Sequence, residues 1–267
     1  MGESGTRSKG PTRMSANIHT DQVMLVTGAS RGIGAEIAVL AASKGWRVGV
    51  NYNNSEAAAQ QVVERIRAAG GTAVALKADV GRPDEVARMF EALDSQLGRI
   101  DALVNNAGVL ANFRITEVDA SNLAAIYAAN VFSAYYCASQ AARRMSRQHG
   151  GAGGSIVNMS SVAARLGGLA GGTAYAGTKG AIDAFNLALA KELGPEGVRV
   201  NALRPGLIAT EIHNVHGGIG QMEQLARTAV PLGRAGTALE VAEVALWLTS
   251  DAAAYVHGAV IDVAGGR

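Results

Sequence analysis

The sequence predicts an α/β fold: one doubly wound parallel sheet of about seven strands with helices on both faces. Three observations predict it. Short apolar runs alternate with stretches of helical periodicity from residue 23 onward. A glycine-rich turn, Thr27-Gly-Ala-Ser-Arg-Gly-Ile-Gly34, joins the first apolar run to the first helical stretch, which is the setting of a phosphate-binding βα turn. The chain has 267 residues, 48% hydrophobic and 17% charged, so it can bury a large core without disulfides or metals.

Each element follows from local pattern. Residues 1–20 are polar, with Arg7, Lys9 and Arg13 among Gly, Ser and Thr. They are expected to be a disordered tail or an expression remnant, with Met14 an alternative start; a transit peptide would need an apolar face that is missing. Residues 21–267 are expected to form one domain, with no linker or repeat. Val23–Val26 suits a buried parallel strand, and Ala35–Lys44 a helix after the glycine turn. Trp46–Val50 is the second strand. Glu56–Ala69 is a helix with Val62, Val63 and Ile66 on its apolar stripe. Thr72–Leu76 is the third strand, running to Asp79-Val80. Pro83 and Asp84 open a helix that ends at Leu97. Ile100–Val104 is the fourth strand, followed by Asn105-Asn-Ala-Gly108. One long helix is expected over Leu123–Arg147. Ser155–Met159 is the fifth strand, closed by Ser160-Ser161, and Tyr175–Leu193 is helical. Val198–Leu203 is the sixth strand, ending at Pro205-Gly206. Glu211–Pro231 has weak periodicity, Ala238–Leu248 is a helix, and Ala259–Asp262 a last strand.

Composition excludes several classes. The net charge is +2 and no basic block carries interleaved aromatics, so nucleic-acid partners lack support. No apolar run reaches transmembrane length and no signal-peptide core follows the N terminus. Cys137, the only cysteine, lies in an apolar helical run and reads as a buried, inert thiol. A cytoplasmic protein without membrane partners is the expectation. The 34 glycines and 4% aromatics suit tight turns and closely packed helices.

The chemistry is carried by Tyr175-Ala-Gly-Thr-Lys179. A Tyr and a Lys four apart on a helix share a face. A tyrosine hydroxyl ionises near pH ~10, and a nearby ammonium lowers that value by favouring the phenolate. Such a pair can move a proton at a carbonyl or alcohol oxygen; alone, it also reads as an ordinary helix pair. Glycines at 28, 32 and 34 let backbone approach a pyrophosphate at a helix N terminus, or simply serve a tight turn. His213 and His216 lie in a glycine-rich stretch; with no further ligands they read as polar groups of a lid, not as a metal site. His149 and His257 read as surface or loop residues. Arg143, Arg144 and Arg147 suit either a solvated helix end or a docking patch for an acidic carrier protein.

The motifs Thr27–Gly34, Asp79, Asn105–Gly108, Asn130, Ser161, Tyr175-x-x-x-Lys179 and Pro205-Gly206, in this order, resemble those of the classical short-chain dehydrogenase/reductase family, including its 3-oxoacyl-carrier-protein reductase and sugar dehydrogenase members. The likeness runs from about Val23 to Gly266. It implies a Rossmann-type fold and catalysis by Asn130, Ser161, Tyr175 and Lys179. Tyr175 would be the general acid in reduction and the base in oxidation. Lys179 would lower the Tyr175 pKa and hold the nicotinamide ribose, Ser161 would bind the substrate oxygen, and Asn130 would hold a water linking Lys179 to solvent. Ser161 is preferred over Ser160 because the second of two such serines usually has the role in this family.

The glycine loop would contribute Gly28, Ser30, Arg31, Gly32, Ile33 and Gly34 to the cofactor site. Asn51, Tyr52 and Asn53 stand where an NAD enzyme usually carries a carboxylate, and Arg31 suits a 2′-phosphate, so NADP(H) is expected over NAD(H). Asp79 and Val80 would meet the adenine; Asn106, Ala107 and Gly108 would line the cofactor; Pro205, Gly206, Ile208 and Thr210 would meet its carboxamide end. Arg114, Arg165 and His213 are candidate polar contacts to a small-molecule carbonyl or alcohol substrate. The resemblance also implies a homo-oligomer, a dimer through the two long helices or a tetramer completed by Val256–Gly266. A catalytically silent NADP-sensing protein is the competing class; a hydrolase using Ser161 lacks a nucleophile elbow.

Overall fold

The computed structural model describes residues 21–210 and 218–267. Residues 1–20 and 211–217, with His213 and His216 among them, lie outside the described residues. Strands β1 (Val23–Val26), β2 (Arg47–Tyr52), β3 (Thr72–Lys77), β4 (Ala102–Asn105), β5 (Gly154–Met159), β6 (Val198–Pro205) and β7 (Val260–Val263) form one sheet in the order β3-β2-β1-β4-β5-β6-β7. Every neighbouring pair is parallel. The chain winds outward from β1 through β3, then returns to β4 beside β1 and winds the other way. Ligands bind such sheets beyond the carboxyl ends of the strands, where the winding reverses.

The apolar strand runs are explained by burial on both faces. Successive side chains point to opposite faces. Met24 and Val26 therefore join a core with α1 (Gly32–Ser43), α2 (Glu56–Ala68) and α9 (Ala238–Thr249), packed through Ile37, Val62, Ile66, Val241 and Leu248. Val23 and Leu25 join the opposite core, with Phe90 and Leu93 of α3 (Pro83–Leu97), Cys137 and Phe185. Helix ends carry their own signals. Pro83 occupies the first turn of α3 with Asp84 and Glu85. Thr237 and Glu240 close a reciprocal capping box on α9, with Glu240 N–H donating to Thr237 Oγ1 (3.2 Å) and Thr237 N–H to Glu240 Oε2 (2.8 Å).

Three expectations change. The single helix over Leu123–Arg147 is instead α4 (Ala120–Tyr127), a π-helical turn (Ala128–Phe132) and α5 (Ser133–Met145). Asp119 caps α4 by accepting from Asn122 N–H at 2.8 Å. The π turn inserts one residue into the helical ladder and is centred on Asn130. The weakly periodic region contains α8 (Gly218–Ala229), anchored by buried Met222 and Ala226, with Val230 one turn on. A short helix, α6 (Ala163–Leu166), precedes α7 (Thr173–Leu193). His257 lies in an exposed loop, as expected, and is engaged there. Its Nδ1 accepts from Val200 N–H (3.1 Å) and its Nε2 lies 2.7 Å from the Ala190 carbonyl, tying α7 to β6.

Candidate active site

The glycine loop is shaped by contacts to β2 and β4. Gly28 has φ +60°, and a Cβ there would come within 2.9 Å of Ala107 Cα; only glycine lets the turn run this close to the β4 loop. A Cβ on Gly34 would collide with Asn106 Nδ2 and lie 2.7 Å from the Gly28 carbonyl oxygen. Asn106 donates from Nδ2 to the carbonyls of Thr27 (2.9 Å) and Gly28 (3.1 Å). Thr27 Oγ1 accepts from the backbone N–H groups of Asn106 (3.0 Å) and Ala107 (2.9 Å). These bonds draw the loops after β1 and β4 together and open the N terminus of α1 toward the cleft.

A cavity of about 570 Å³ follows. It is lined by Gly28, Ser30, Arg31, Gly32, Ile33, Asn51, Tyr52, Asn53, Asp79, Val80, Asn106, Ala107, Gly108 and Thr210, all expected from sequence. Asn54, Ser55, Ala78, Val109 and Ala129 line it too and were not expected. Asn54 and Ser55 continue directly from Asn53 into α2, a position that signals them in hindsight. Asn51 plays a different part from the one expected. Its carboxamide is turned inward: Oδ1 accepts from Gly28 N–H (3.0 Å), and Nδ2 donates to the carbonyls of Leu76 (3.2 Å) and Ala78 (3.1 Å). It supports the turn from below. Asp79 likewise turns Oδ1 to the Gly81 N–H, at 2.9 Å. The close loop approach at Gly28 and the exposed Arg31 at the N-cap of α1 fit a dinucleotide phosphate.

A second cavity, of about 800 Å³, shares Ile33, Asn106, Gly108, Leu110 and Thr210 with the first and is continuous with it. Ser161, Tyr175, Lys179, Pro205, Gly206 and Ile208 line it, with apolar walls from Val162, Leu166, Leu169, Met222 and Leu225. Its polar rim is Gln221, Gln224, Thr228 and Arg267. Arg114 and Arg165 do not line it: Arg165 pairs with Asp262 (3.2 Å) and donates to the Arg267 carbonyl (2.7 Å). Gly34 lies beneath the loop and lines neither cavity.

Both serines line the second cavity, but their hydroxyls are used differently. Ser160 is buried and donates to the Lys179 carbonyl at 3.1 Å, so it holds α7 against β5. Ser161 hydrogen-bonds the Tyr175 hydroxyl and accepts from Ala163 N–H at 3.1 Å. Lys179 is buried; its Nζ donates to the Met159 carbonyl (2.8 Å) and sits 5.7 Å from the Tyr175 ring centroid. Burial lowers the Lys179 pKa to about 8, with the Asp183 carboxylate opposing the shift. The expected lowering of the Tyr175 pKa is not found. Burial raises it, the Ser161 hydrogen bond opposing, because the Lys179 ammonium is directed to the Met159 carbonyl instead of the phenol oxygen.

Asn130 lines neither cavity. Its Oδ1 accepts from Val109 N–H (2.7 Å), and Nδ2 donates to the Val109 carbonyl (3.0 Å) and Thr178 Oγ1 (3.1 Å). Both amide hydrogens are thus engaged, and Oδ1 keeps one lone pair facing the space by Gly108 near Lys179 Nζ. Cys137 is fully buried and burial pushes its thiol pKa up, which suits the inert reading. Among the described residues no cluster of His, Cys, Asp or Glu could hold a metal, and no helix is long and apolar enough to cross a membrane.

Arg143 and Arg144 end α5 and Arg147 lies two residues beyond it, all before β5 begins, at the amino edge of the sheet. The length of β5, about 20 Å at 3.3 Å per residue, separates them from the cavities. Arg144 is occupied by Asp94 (2.7 Å) and lies over the Phe90 ring.

A family model described as enoyl-(acyl carrier protein) reductase matches residues 28–267. The chain is 43% identical to the uncharacterized oxidoreductase YgfF of Escherichia coli over 92% of this chain and 99% of that one. It is 36% identical to versicolorin reductase 1 of Aspergillus parasiticus (95% and 99% covered) and 36% identical to the 3-oxoacyl-[acyl-carrier-protein] reductase FabG of Staphylococcus aureus (91% and 96%). A crystal structure of a short chain dehydrogenase from Burkholderia cenocepacia in complex with NADP superposes with a TM-score of 0.86 at 30% identity, covering 94% of this chain and 99% of that one. With its reversed-winding parallel sheet and its paired cavities, the chain belongs to the short-chain dehydrogenase/reductase family of oxidoreductases.

Proposed function

We propose that the protein is an NADP(H)-dependent oxidoreductase that interconverts a small-molecule carbonyl and a secondary alcohol. The observation that carries this reading is the Ser161–Tyr175 hydrogen bond, set beside buried Lys179 where the two cavities join. The bound dinucleotide supplies or accepts the hydride. The chain does the rest. In reduction the Tyr175 hydroxyl gives its proton to the substrate oxygen as negative charge develops there, and Ser161 donates a second hydrogen bond to the same atom. Lys179 keeps a positive charge beside the phenol and the cofactor ribose. Asn130 fixes the Gly108–Val109 loop against α7. The apolar walls limit the water that reaches the reacting atoms.

The preference for NADP(H) rests on Arg31 at the cavity edge and on the absence of a carboxylate at Asn53. The relative crystallised with NADP agrees with it. A 3-oxoacyl-carrier-protein reductase is the second reading, favoured by the FabG likeness and by the apolar cavity. In that case the carrier would dock by the cavity mouth, because the arginines ending α5 lie at the far edge of the sheet. Exposed Phe132, Tyr135 and Leu187 support pairing of protomers through α5 and α7, and exposed Trp247 and Tyr255 a second interface.

Tyr175→Phe tests the core of the proposal. NADPH oxidation, followed by absorbance over aromatic ketones, sugars and 3-oxoacyl thioesters, should fall by roughly 10²–10⁴-fold, while NADPH affinity measured by fluorescence is retained. Turnover that persists in the purified variant would remove Tyr175 from the reaction.

A further inference from the structure

A charged chain leads from the Lys179 helix through β6 and β7 to α6. Asp183 lies one helical turn beyond Lys179 on α7, at the i+4 spacing that puts two side chains on one face. Its side chain is only 14% exposed. Asp183 Oδ2 accepts from Arg204 of β6 twice, at 3.0 Å from Nε and 2.8 Å from Nη2. Its other oxygen, Oδ1, is buried and has no hydrogen-bond partner. Arg204 also reaches Asp262 of β7 (3.5 Å), and Asp262 pairs with Arg165 of α6 (3.2 Å).

We propose that Asp183 is the counter-charge of Lys179, a positioning residue that keeps the buried ammonium protonated, and that Arg204 sets how strongly it acts. A buried carboxylate pinned through one oxygen has no purely structural need for a bare Oδ1: such an orphan costs stability. A strap between α7 and β6 would be served by Arg204 and any acceptor. Asp183 and Lys179 share one face of α7, so the carboxylate's negative field reaches the ammonium. Among the described residues, the other charged and titratable groups near the pair are these. Arg204, Asp262 and Arg165 stand behind Asp183, Tyr175 stands in front of Lys179, and Tyr127 of α4 approaches α7 at Gly177. Among these, Asp183 is the carboxylate that acts on Lys179. The same arrangement makes Arg204 a brake, because its guanidinium withdraws part of the carboxylate's field from Lys179.

The inference rests on the reading of Lys179 as an active-site group, and its test is separable from that reading. The chain's lysines are Lys9, Lys44, Lys77, Lys179 and Lys191, few enough for NMR titration of protein carrying ¹³Cε-labelled lysine. Lys179 is assigned by its missing signal in Lys179→Arg. In Asp183→Asn the Lys179 inflection should fall by about one pH unit, the size expected for two charges a helical turn apart inside a protein. Asp183→Glu should restore it, and Arg204→Gln should move it upward. Loosening of a mere strap would hydrate Lys179 and move it upward in both Asp183→Asn and Arg204→Gln. That outcome, or an unmoved inflection in Asp183→Asn, overturns the proposal. If Asp183→Asn alone does not fold, the double variant Asp183→Asn/Arg204→Gln, which leaves no unpaired guanidinium, is compared with Arg204→Gln: a lower Lys179 inflection in the double variant decides for the proposal, and an equal or higher one decides against it. NADPH titration of the wild-type protein is the separate arm. Shifts as expected with no NADPH binding would leave Asp183 in this role and remove the cofactor reading.

Discussion

Asn51→Asp separates two accounts of one residue. By position, at the end of the second strand, an acid at 51 would suit the ribose hydroxyls of NAD, and the substitution should exchange NADPH preference for NADH. The hydrogen bonds lead to a different expectation: loss of stability with no gain in NADH binding. Asn51 is 1% exposed. An aspartate keeps the acceptor for Gly28 N–H but sets an oxygen against the Leu76 and Ala78 carbonyls, now 3.2 and 3.1 Å from the amide nitrogen. Each carbonyl left without its donor costs about 1–3 kcal/mol. The carboxylate is buried without a cation, so it either stays charged at high cost or takes up a proton and recovers one donor. The net loss at pH 7 should be about 3–5 kcal/mol, or roughly 6–20 °C in Tm for a domain of this size. The pH dependence has a defined sign. The folded pKa of the introduced carboxyl would lie above its unfolded value, so the deficit is small below about pH 4 and grows as pH rises toward the folded value. Thermal melts at pH 5 and pH 8, with NADH and NADPH titrations, measure all three quantities. A variant that melts within about 2 °C of wild type and gains NADH affinity would refute the reasoning.

The same logic puts cofactor choice at the exposed rim. Arg31→Gln should weaken NADPH binding by about tenfold, equivalent to ~1.4 kcal/mol, and leave NADH binding unchanged; equal weakening of both would assign Arg31 to the shared pyrophosphate instead of the 2′-phosphate. Lys179 should leave a signature in stability against pH. Its folded pKa of about 8 lies below the unfolded value near ~10.4, so the unfolded chain binds more protons between them and stability rises with pH across that window. The burial penalty is complete below pH 8, at about 3 kcal/mol. Denaturant melts of Lys179→Met should lack that rise, and an identical slope in wild type and variant would contradict the buried-ammonium account.

The sheet was legible because burial on both faces leaves strands as uninterrupted apolar runs, so Val23–Val26 and Val198–Leu203 stand out without any periodicity. Helices with a clear stripe, such as Glu56–Ala68 with Val62, Val63 and Ile66, were legible for the same reason. The break in the long helix was not. The π turn at Ala128–Phe132 is held by bonds from Asn130 to Val109 and Thr178, which are distant in sequence, while the local residues remain good helix formers. The helix α8 was obscured by its small buried set, Met222, Ala226 and then Val230, flanked by glycines. The resemblance preferred Ser161 over Ser160, but the physical reason lies in the fold: both line the cavity, and Ser160 spends its hydroxyl on the Lys179 carbonyl.

The identities of the polar residues around the cofactor cavity could be read more easily than their orientations, and the reason is the local chemistry of strand ends. Where a parallel strand stops, its last N–H and C=O groups lose their ladder partners yet stay buried, and each must be paired. A neutral carboxamide donates twice and accepts twice, so it meets that need without the desolvation cost of a charge. Asn51, Asn106 and Asn130 each do this for a neighbouring loop, and buried Asn105 and Asn158 extend the pattern, with Asn105 Nδ2 donating to Asn158 Oδ1 at 2.9 Å and Asn158 Nδ2 to Asn186 Oδ1 at 3.1 Å. A sequence shows an asparagine at a strand end but not whether it turns toward the ligand or toward backbone. Here several turn to the backbone and make the cradle rigid. Discrimination between cofactors is then left to Arg31, Asn53 and the loop into α2, where substitution costs the fold little, whereas changing the inward amides would cost the fold first.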